Sequence, residues 1–232
     1  MFSEANVTLL QNIIHNELLS ALWQTLYKTF LPTIIAVVLG LPLGVILVVG
    51  EKNGIRPLPA WLMRTLNVVI NLLRSVPFLI LMVLVFPLTR LIVGTVVGTV
   101  ASIVPLVIAA FPFIARLAEG SLREVNPNTI EMAQSLGASP MQIITQVMIP
   151  ESVPSLISNA TIAITTILGY SAMSGIIGGG GLGKIAMNYG YYRYKYLIMV
   201  AAVILLILLV QLFQSVGTHL AVKSDKRLKN KG

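Results

Sequence analysis

The sequence predicts an all-α integral membrane protein with five transmembrane helices. Three observations lead there: a composition poor in charge, long uncharged windows, and a lopsided distribution of basic residues. Hydrophobic residues make up 56% of the chain and charged residues 10%, against roughly 25% charged in a soluble domain. Uncharged windows run over residues 29–50, 75–89, 91–115, 152–183 and 196–222. A span needs about 20 apolar residues, so four windows suffice outright. The window 75–89 is short, and its helix is expected to begin ahead of Arg74, near 61–66, with Arg64 and Arg74 at or below the interface.

An odd number of spans puts the termini on opposite sides, and the bias of Lys and Arg chooses which. With the N-terminus outside, Lys52, Arg56, Arg64, Arg74, Arg116, Arg123, Lys223, Lys226, Arg227, Lys229 and Lys231 face the cytoplasm, leaving Lys28, Arg90, Lys184, Arg193 and Lys195 of the sixteen basic residues outside. The net charge of +8 therefore reads as topology. Nothing interleaves basic and aromatic residues on a soluble domain, so nucleic acid is not an expected partner.

Taken in order, residues 1–18 form an amphipathic segment, with Leu9, Leu10, Ile13, Ile14 and Leu18 at helical spacing. This segment lacks a basic start and a cleavage site, so it does not read as a signal peptide. The membrane domain follows over 19–222. Gly40 and Gly44 in the first window, and Gly94 and Gly98 in the third, are small-xxx-small pairs suited to close helix packing. Pro42, Pro77, Pro87, Pro105 and Pro112 are expected to kink or break helices. No cysteine is present, and the two histidines, His15 and His219, stand at no metal-ligand spacing.

Between the third and fourth spans lies a polar segment, 126–150, reading N-P-N-T-I-E-M-A-Q-S-L-G-A-S-P-M-Q-I-I-T-Q-V-M-I-P. It carries two helix starts: Asn128 with Glu131 three residues on, and Ser139 with Pro140 and Gln142. Gly137 falls at the end of the first helix, where a left-handed turn is easiest without a Cβ. Two short helices joined by a tight turn are expected, either an ordinary surface hairpin or a structure for another protein to grip.

After the fourth span, residues 178–185 read G-G-G-G-L-G-K-I, close to the phosphate-binding pattern G-x-x-x-x-G-K-[ST]. Ile185 supplies no hydroxyl for magnesium, the glycines follow a membrane helix and not a strand, and the orientation puts them outside. A flexible or sharply turning extracytoplasmic loop is the reading, followed by an interfacial belt of Tyr189, Tyr191, Tyr192, Tyr194 and Tyr196. The fifth span ends in a basic cytoplasmic tail, 223–232, suited to anionic lipid.

Glu131, Ala133, Gly137, nine intervening residues, then Val147, Ile149 and Pro150 resemble the cytoplasmic "EAA" loop of ABC-importer permeases, with Met132 in place of the first alanine. Further strings resemble the methionine branch of that family: Trp23-Gln24-Thr25-Leu26-Tyr27, Arg74-Ser75-Val76-Pro77-Phe78, the stretch 87–95, Gly169-Tyr170-Ser171-Ala172-Met173, the glycine run, and Asn188-Tyr189-Gly190-Tyr191. The resemblance covers about 19–216. Lys184 departs from it, since that branch often has an acidic or amide residue there.

The resemblance implies a type I importer permease with a coupling helix between helices three and four. It implies a homodimer in the plasma or inner membrane, two cytoplasmic ATPase subunits that bind ATP and magnesium, and an external binding protein that delivers methionine. The ATPase-docking residues are then Glu131, Ala133, Gly137, Ala138, Ser139 and Pro150, and Met173 with Ser171 is the candidate gate. The chain itself would be no enzyme and would hold no cofactor. A carrier driven by an ion gradient, or a permease for another small substrate, is the alternative. All eight acids lie outside the uncharged windows, which leaves a gradient-driven carrier without an intramembrane carboxylate.

Overall fold

The computed structural model describes residues 17–225. Residues 1–16 of the expected amphipathic segment, including His15, lie outside the described residues, as do Lys226, Arg227, Lys229 and Lys231 of the basic tail.

The described residues are built from helices: α1 (Leu19–Val49), α2 (Ala60–Ser75), α3 (Phe78–Leu84), α4 (Phe86–Val93), α5 (Ile103–Arg123), α6 (Pro127–Ser135), α7 (Pro140–Gln142), α8 (Ile149–Ser174), α9 (Gly181–Ile185) and α10 (Tyr196–Ser224). Wider π-helical turns, Ile143–Met148 and Ala186–Tyr192, extend α7 and α9. Four stretches are long and apolar enough to cross a membrane: α1, α5, the run Pro140–Ile177 and α10. The interrupted pair α2 and α3 makes a fifth if it counts as one span.

The interruption has a chemical cause. Pro77 lacks an amide donor and its ring clashes with the carbonyl four residues back, so α2 stops at Ser75 and Pro77 caps α3 with an extended backbone. The start of this helix near Trp61 and the break at Pro77 both agree with the sequence expectation.

The third window is expected to be helical from residue 91. Instead α4 ends at Gly94 with φ 82°, and Gly98 turns the chain again with φ 110°. A Cβ on either would meet nothing within 4 Å, so these glycines make turns and not close helix packing. The third long helix is consequently displaced toward its C-terminal end and carries Arg116, Glu119 and Arg123 within it. The other pair behaves as expected. A Cβ on Gly40 would come within 2.7 Å of the Phe111 carbonyl, and one on Gly44 within 2.7 Å of the Ala115 carbonyl, so α1 and α5 touch backbone to backbone there.

The first helix also begins earlier than its window, at Leu19, and takes in Lys28. Its threonines are satisfied locally. Thr25, Thr29 and Thr33 hydroxyls donate to the carbonyls of Ala21, Thr25 and Thr29 at 2.9, 2.8 and 2.6 Å.

The chain forms two compact units. One comprises residues through Ile34, Val76–Ala109 and Ile164–Phe213; its core gathers Ala21, Leu182, Ile185, Ile198 and Ala202. The other comprises Ile35–Ser75, Ala110–Ala163 and residues from Gln214, with a core of Val49, Leu122, Ala133, Ile143 and Met148.

Candidate functional site

The polar loop belongs to the second unit. Its first helix is capped two residues earlier than the sequence indicates. Asn126, not Asn128, is the N-cap: its Oδ1 accepts the Asn128 amide at 2.9 Å, with Pro127 at the first helical position. The residue before a proline is driven to extended backbone, which is the N-cap conformation. Glu131 is thus not part of a capping box. It is exposed and helps line a groove of about 330 Å³ with Val49, Asn53, Ile130, Gln134 and Met148.

Gly137 ends α6 with φ 79°. The Gly137 amide donates to Gln134 O at 2.9 Å and the Ala138 amide to Ala133 O at 3.1 Å, the paired bonds of a Schellman ending. The buried Ala133 ties the turn to the core. Ser139 then opens the next helix through the expected capping box: its amide donates to Gln142 Oε1 at 2.8 Å, and the Gln142 amide donates to Ser139 Oγ at 3.4 Å.

The second helix of the loop does not end at Pro150. The chain runs from Pro140 through the π-helical turn directly into α8, and Pro150 sits exposed in the first turn of α8. Pro150 and Pro154 cannot donate to carbonyls four residues back, and the widened turn Ile143–Met148 immediately precedes them. The loop presents Met132, Leu136 and Met141 to solvent at 61, 81 and 67% exposure. Around a Schellman turn whose backbone is internally satisfied, these apolar side chains form a surface that another protein can cover.

Ahead of the loop in the chain, at the end of α5, lies a charge network that sequence reading misses. Arg123 donates to both carboxylate oxygens of Glu51, and its Nη2 lies 2.8 Å from Glu119 Oε1. Arg116 Nη1 reaches Glu119 Oε2 at 2.6 Å, while its Nη2 donates to Asn67 and Asn71 Oδ1 at 2.7 and 3.0 Å. Hydrogen bonding from Arg123 holds the Glu51 carboxyl below its ordinary value; burial opposes this, and the charge of Arg123 adds to the lowering. The available signal is the i, i+3 and i+4 spacing of Arg116, Glu119 and Arg123 about one helical face.

The candidate gate belongs to the first unit. Met173 is 45% exposed near the end of α8, whereas Ser171 is buried and its hydroxyl has no hydrogen-bond partner among the described residues. Beside them lies Lys28, fully buried although the sequence places it facing out. Its Nζ donates to Ser171 O at 3.0 Å, Ser174 Oγ at 2.9 Å and Gly180 O at 3.0 Å.

The glycine run is a set of turns, with φ 81° at Gly178, 75° at Gly180 and 76° at Gly181. Most of its amides are engaged: Gly178 donates to Gly175 O at 3.2 Å, Gly179 to Ser174 O at 2.9 Å, Gly181 to Gln24 Oε1 at 2.9 Å and Leu182 to Thr25 Oγ1 at 2.9 Å. A phosphate cradle needs free amides, so the structure agrees with reading this stretch as a turn. Tyr191, Tyr192, Tyr194 and Tyr196 are exposed, and Tyr189 donates to Glu17 Oε1 at 3.0 Å. Lys184 is exposed, lining a polar cleft with Glu17, Asn188 and Arg193.

Residues 40–224 match the family described as binding-protein-dependent transport system inner membrane component. The chain belongs to this family. As a member, it is a membrane component of a transport system and not a nucleotide-hydrolysing subunit. Among relatives, the probable D-methionine transport system permease protein MetI of Vibrio cholerae is 50% identical over 90% of this chain and 93% of its own length. The corresponding protein of Pasteurella multocida is 47% identical over 71% of this chain and 76% of its own. An inward-facing structure of the MetNI methionine ABC transporter, in its native crystal form, has a chain 41% identical with a TM-score of 0.89, covering 97% of this chain and 100% of that one. A solved amino acid ABC transporter, 19% identical with a TM-score of 0.75 over 96% of this chain and 100% of that one, shares the fold. The fold is accordingly that of a type I ABC-importer permease, with α6 as the short helix between the third and fourth spans.

Proposed function

We propose that this chain is the permease subunit of an ATP-driven importer that carries methionine into the cell. The observation that carries the reading is the 50% identity to a methionine permease over 90% of the chain. In this reading, residues 19–222 are the permease domain and two copies form the pathway. The N-terminus faces out and the C-terminus, with its lipid-binding basic tail, faces the cytoplasm. An external binding protein delivers substrate.

The segment 126–150 docks on a separate ATPase subunit, which binds ATP and magnesium. Glu131, Ala133, Gly137, Ala138, Ser139 and Pro150 shape that docking loop: Ala133, Gly137, Ala138 and Ser139 build its turn, and Glu131 and Pro150 lie on its exposed surface. The exposed Met132, Leu136 and Met141 supply the apolar contact a helix end needs to seat in a groove. Closure of the ATPases on ATP moves the loop. Because the chain from Pro140 continues without a break into α8, that helix is the route by which the movement reaches Met173, the proposed constriction beside Ser171.

A gradient-driven carrier fits less well. Among the described residues Glu119 is the only buried carboxylate, and it is engaged by Arg116 and Arg123, which leaves it no vacancy for a transported ion.

The test is uptake of radiolabelled methionine into proteoliposomes holding this chain, a candidate ATPase subunit and a binding protein, with ATP inside and no ion gradient. Uptake requiring all three proteins is expected. Uptake by this chain alone on an imposed gradient overturns the reading, and ATP-driven uptake of a different solute in preference to methionine overturns the substrate.

A further inference from the structure

Lys28 is a basic side chain buried in a membrane-spanning helix, and no ion pair among the described residues includes it. Burying a charge without a counter-ion is costly unless its hydrogen-bonding capacity is filled. Here that capacity is filled completely. An ammonium has three donors, and Lys28 places them on Ser171 O, Ser174 Oγ and Gly180 O at 2.9 to 3.0 Å.

Two of these acceptors lie in the last turn of α8, where unpaired carbonyls carry the negative end of the helix dipole. Ser174 Oγ in turn donates to Ser171 O at 2.7 Å, so the acceptors are themselves joined. The third acceptor, Gly180, sits in the turn that leaves α8, at φ 75°, and a Cβ on Gly181 would lie 3.4 Å from Lys28 Cε. Two neighbours of Lys28 on α1 complete the clasp, Gln24 accepting from Gly181 N and Thr25 from Leu182 N. Two segments far apart in sequence, α1 and the end of α8 with the turn that leaves it, therefore meet at one nitrogen.

We propose that Lys28 is a positioning residue for translocation: its ammonium is a tethered cation that gathers the oxygens of Ser171, Ser174 and Gly180, and thereby fixes the end of α8 that presents Met173. Met173 lies between two of the gathered residues, so its exposure is set by how that last turn is held. The inference rests on the permease reading above for its transport readout, and on geometry alone for its labelling readout.

The chain has no cysteine, so a Met173→Cys variant gives a single labelling site in this chain, read on its own band after the subunits are separated by denaturing electrophoresis. The experiment compares maleimide labelling of that introduced thiol and ATP-driven methionine uptake in the assembled transporter, isolated by size exclusion, with Lys28 intact, with Lys28→Met and with Ser174→Ala. Uptake is measured on the Met173 background as well. Lys28→Met keeps much of the side chain's bulk and removes the charge. The expected result is at least a tenfold fall in uptake per assembled complex and at least a threefold change in the labelling rate of the thiol. Ser174→Ala, which removes one acceptor, shifts labelling in the same direction by a smaller factor.

A Lys28→Met complex that is less heat-stable yet labels and transports like its parent overturns the proposal, because Lys28 would then only stabilise the fold. If Lys28→Met fails to assemble, Ser174→Ala decides, and unchanged labelling there overturns the proposal. If the parent carries no methionine, the permease reading fails, while labelling of the Met173→Cys thiol still tests the tether.

Discussion

The Ala138 amide donates to the Ala133 carbonyl across 3.1 Å, closing the turn at Gly137. That bond forms only because Gly137 holds φ at 79°, a region L side chains enter at a cost of roughly 1–2 kcal/mol. A Cβ there would meet nothing within 4 Å, so the penalty in the isolated chain is conformational.

Gly137→Asn and Gly137→Val therefore separate backbone from bulk. Asn tolerates the left-handed conformation and Val does not. Gly137→Asn is expected to retain most ATPase co-purification, and Gly137→Val to lose at least tenfold in co-purified ATPase while still inserting in the membrane. Equal retention by both variants contradicts a docking role for the turn.

Gly40 and Gly44 carry a different prediction. Substituting either by Val drives a side chain into backbone at 2.7 Å, and overpacking of this kind costs about 1–3 kcal/mol or more. Gly120, in α5, meets nothing within 4 Å, so Gly120→Ala is expected to be neutral or to stabilise by about 0.5 kcal/mol through its better helix propensity. Thermal unfolding in detergent should show lowered midpoints for the first pair and no lowering for the third.

Glu119 is gripped by two arginines with its side chain 11% exposed. Glu119→Gln deprives Arg116 of its carboxylate partner and leaves Arg123 with Glu51 alone, and losing a hydrogen bond to a charged group costs about 1.5–3 kcal/mol. A lowered unfolding midpoint is expected, along with faster proteolysis within 126–150, because Glu51 and Arg123 line the same groove as Glu131 and Gln134 of the loop. An unchanged cleavage rate would show the charge network to be irrelevant to the loop.

Glu51 gives the pH dependence. Its folded value lies below the ordinary 4.5 because Arg123 donates to it. A depressed carboxylate contributes stability that is present above the unfolded value and lost as pH falls through the folded one. The side chain is 46% exposed, so the contribution is small and screened by salt. The difference in unfolding midpoint between the wild type and Glu51→Gln is expected at pH 7 and should shrink as pH drops below about 4.5. A difference that grows in acid contradicts the pairing.

The helices are legible wherever hydrophobic length decides them, as in α1, α8 and α10, and the capping box at Ser139 is legible because it is a local signal. The third span is displaced from its window because residues 91–115 carry no charge, while the backbone is governed by Gly94 and Gly98 at positive φ. Asn126 escapes notice as a cap because a carboxylate three residues after Asn128 is the stronger pattern, whereas Pro127 dictates the geometry. Lys28 is hidden for a deeper reason. A positive residue at the edge of an apolar window looks like an interface anchor, and only folding brings Ser171, Ser174 and Gly180 to it. Long-range partners leave no local mark.

Whether the loop 126–150 couples a separate ATPase to this permease is decided by ATP hydrolysis and methionine uptake measured together in proteoliposomes. The preparations hold the wild type or Gly137→Val at matched levels of inserted chain, with ATPase subunit and binding protein present. Uptake and binding-protein-stimulated hydrolysis are expected in the wild type, and loss of both in Gly137→Val. Undiminished, still-stimulated transport by Gly137→Val would contradict the coupling role.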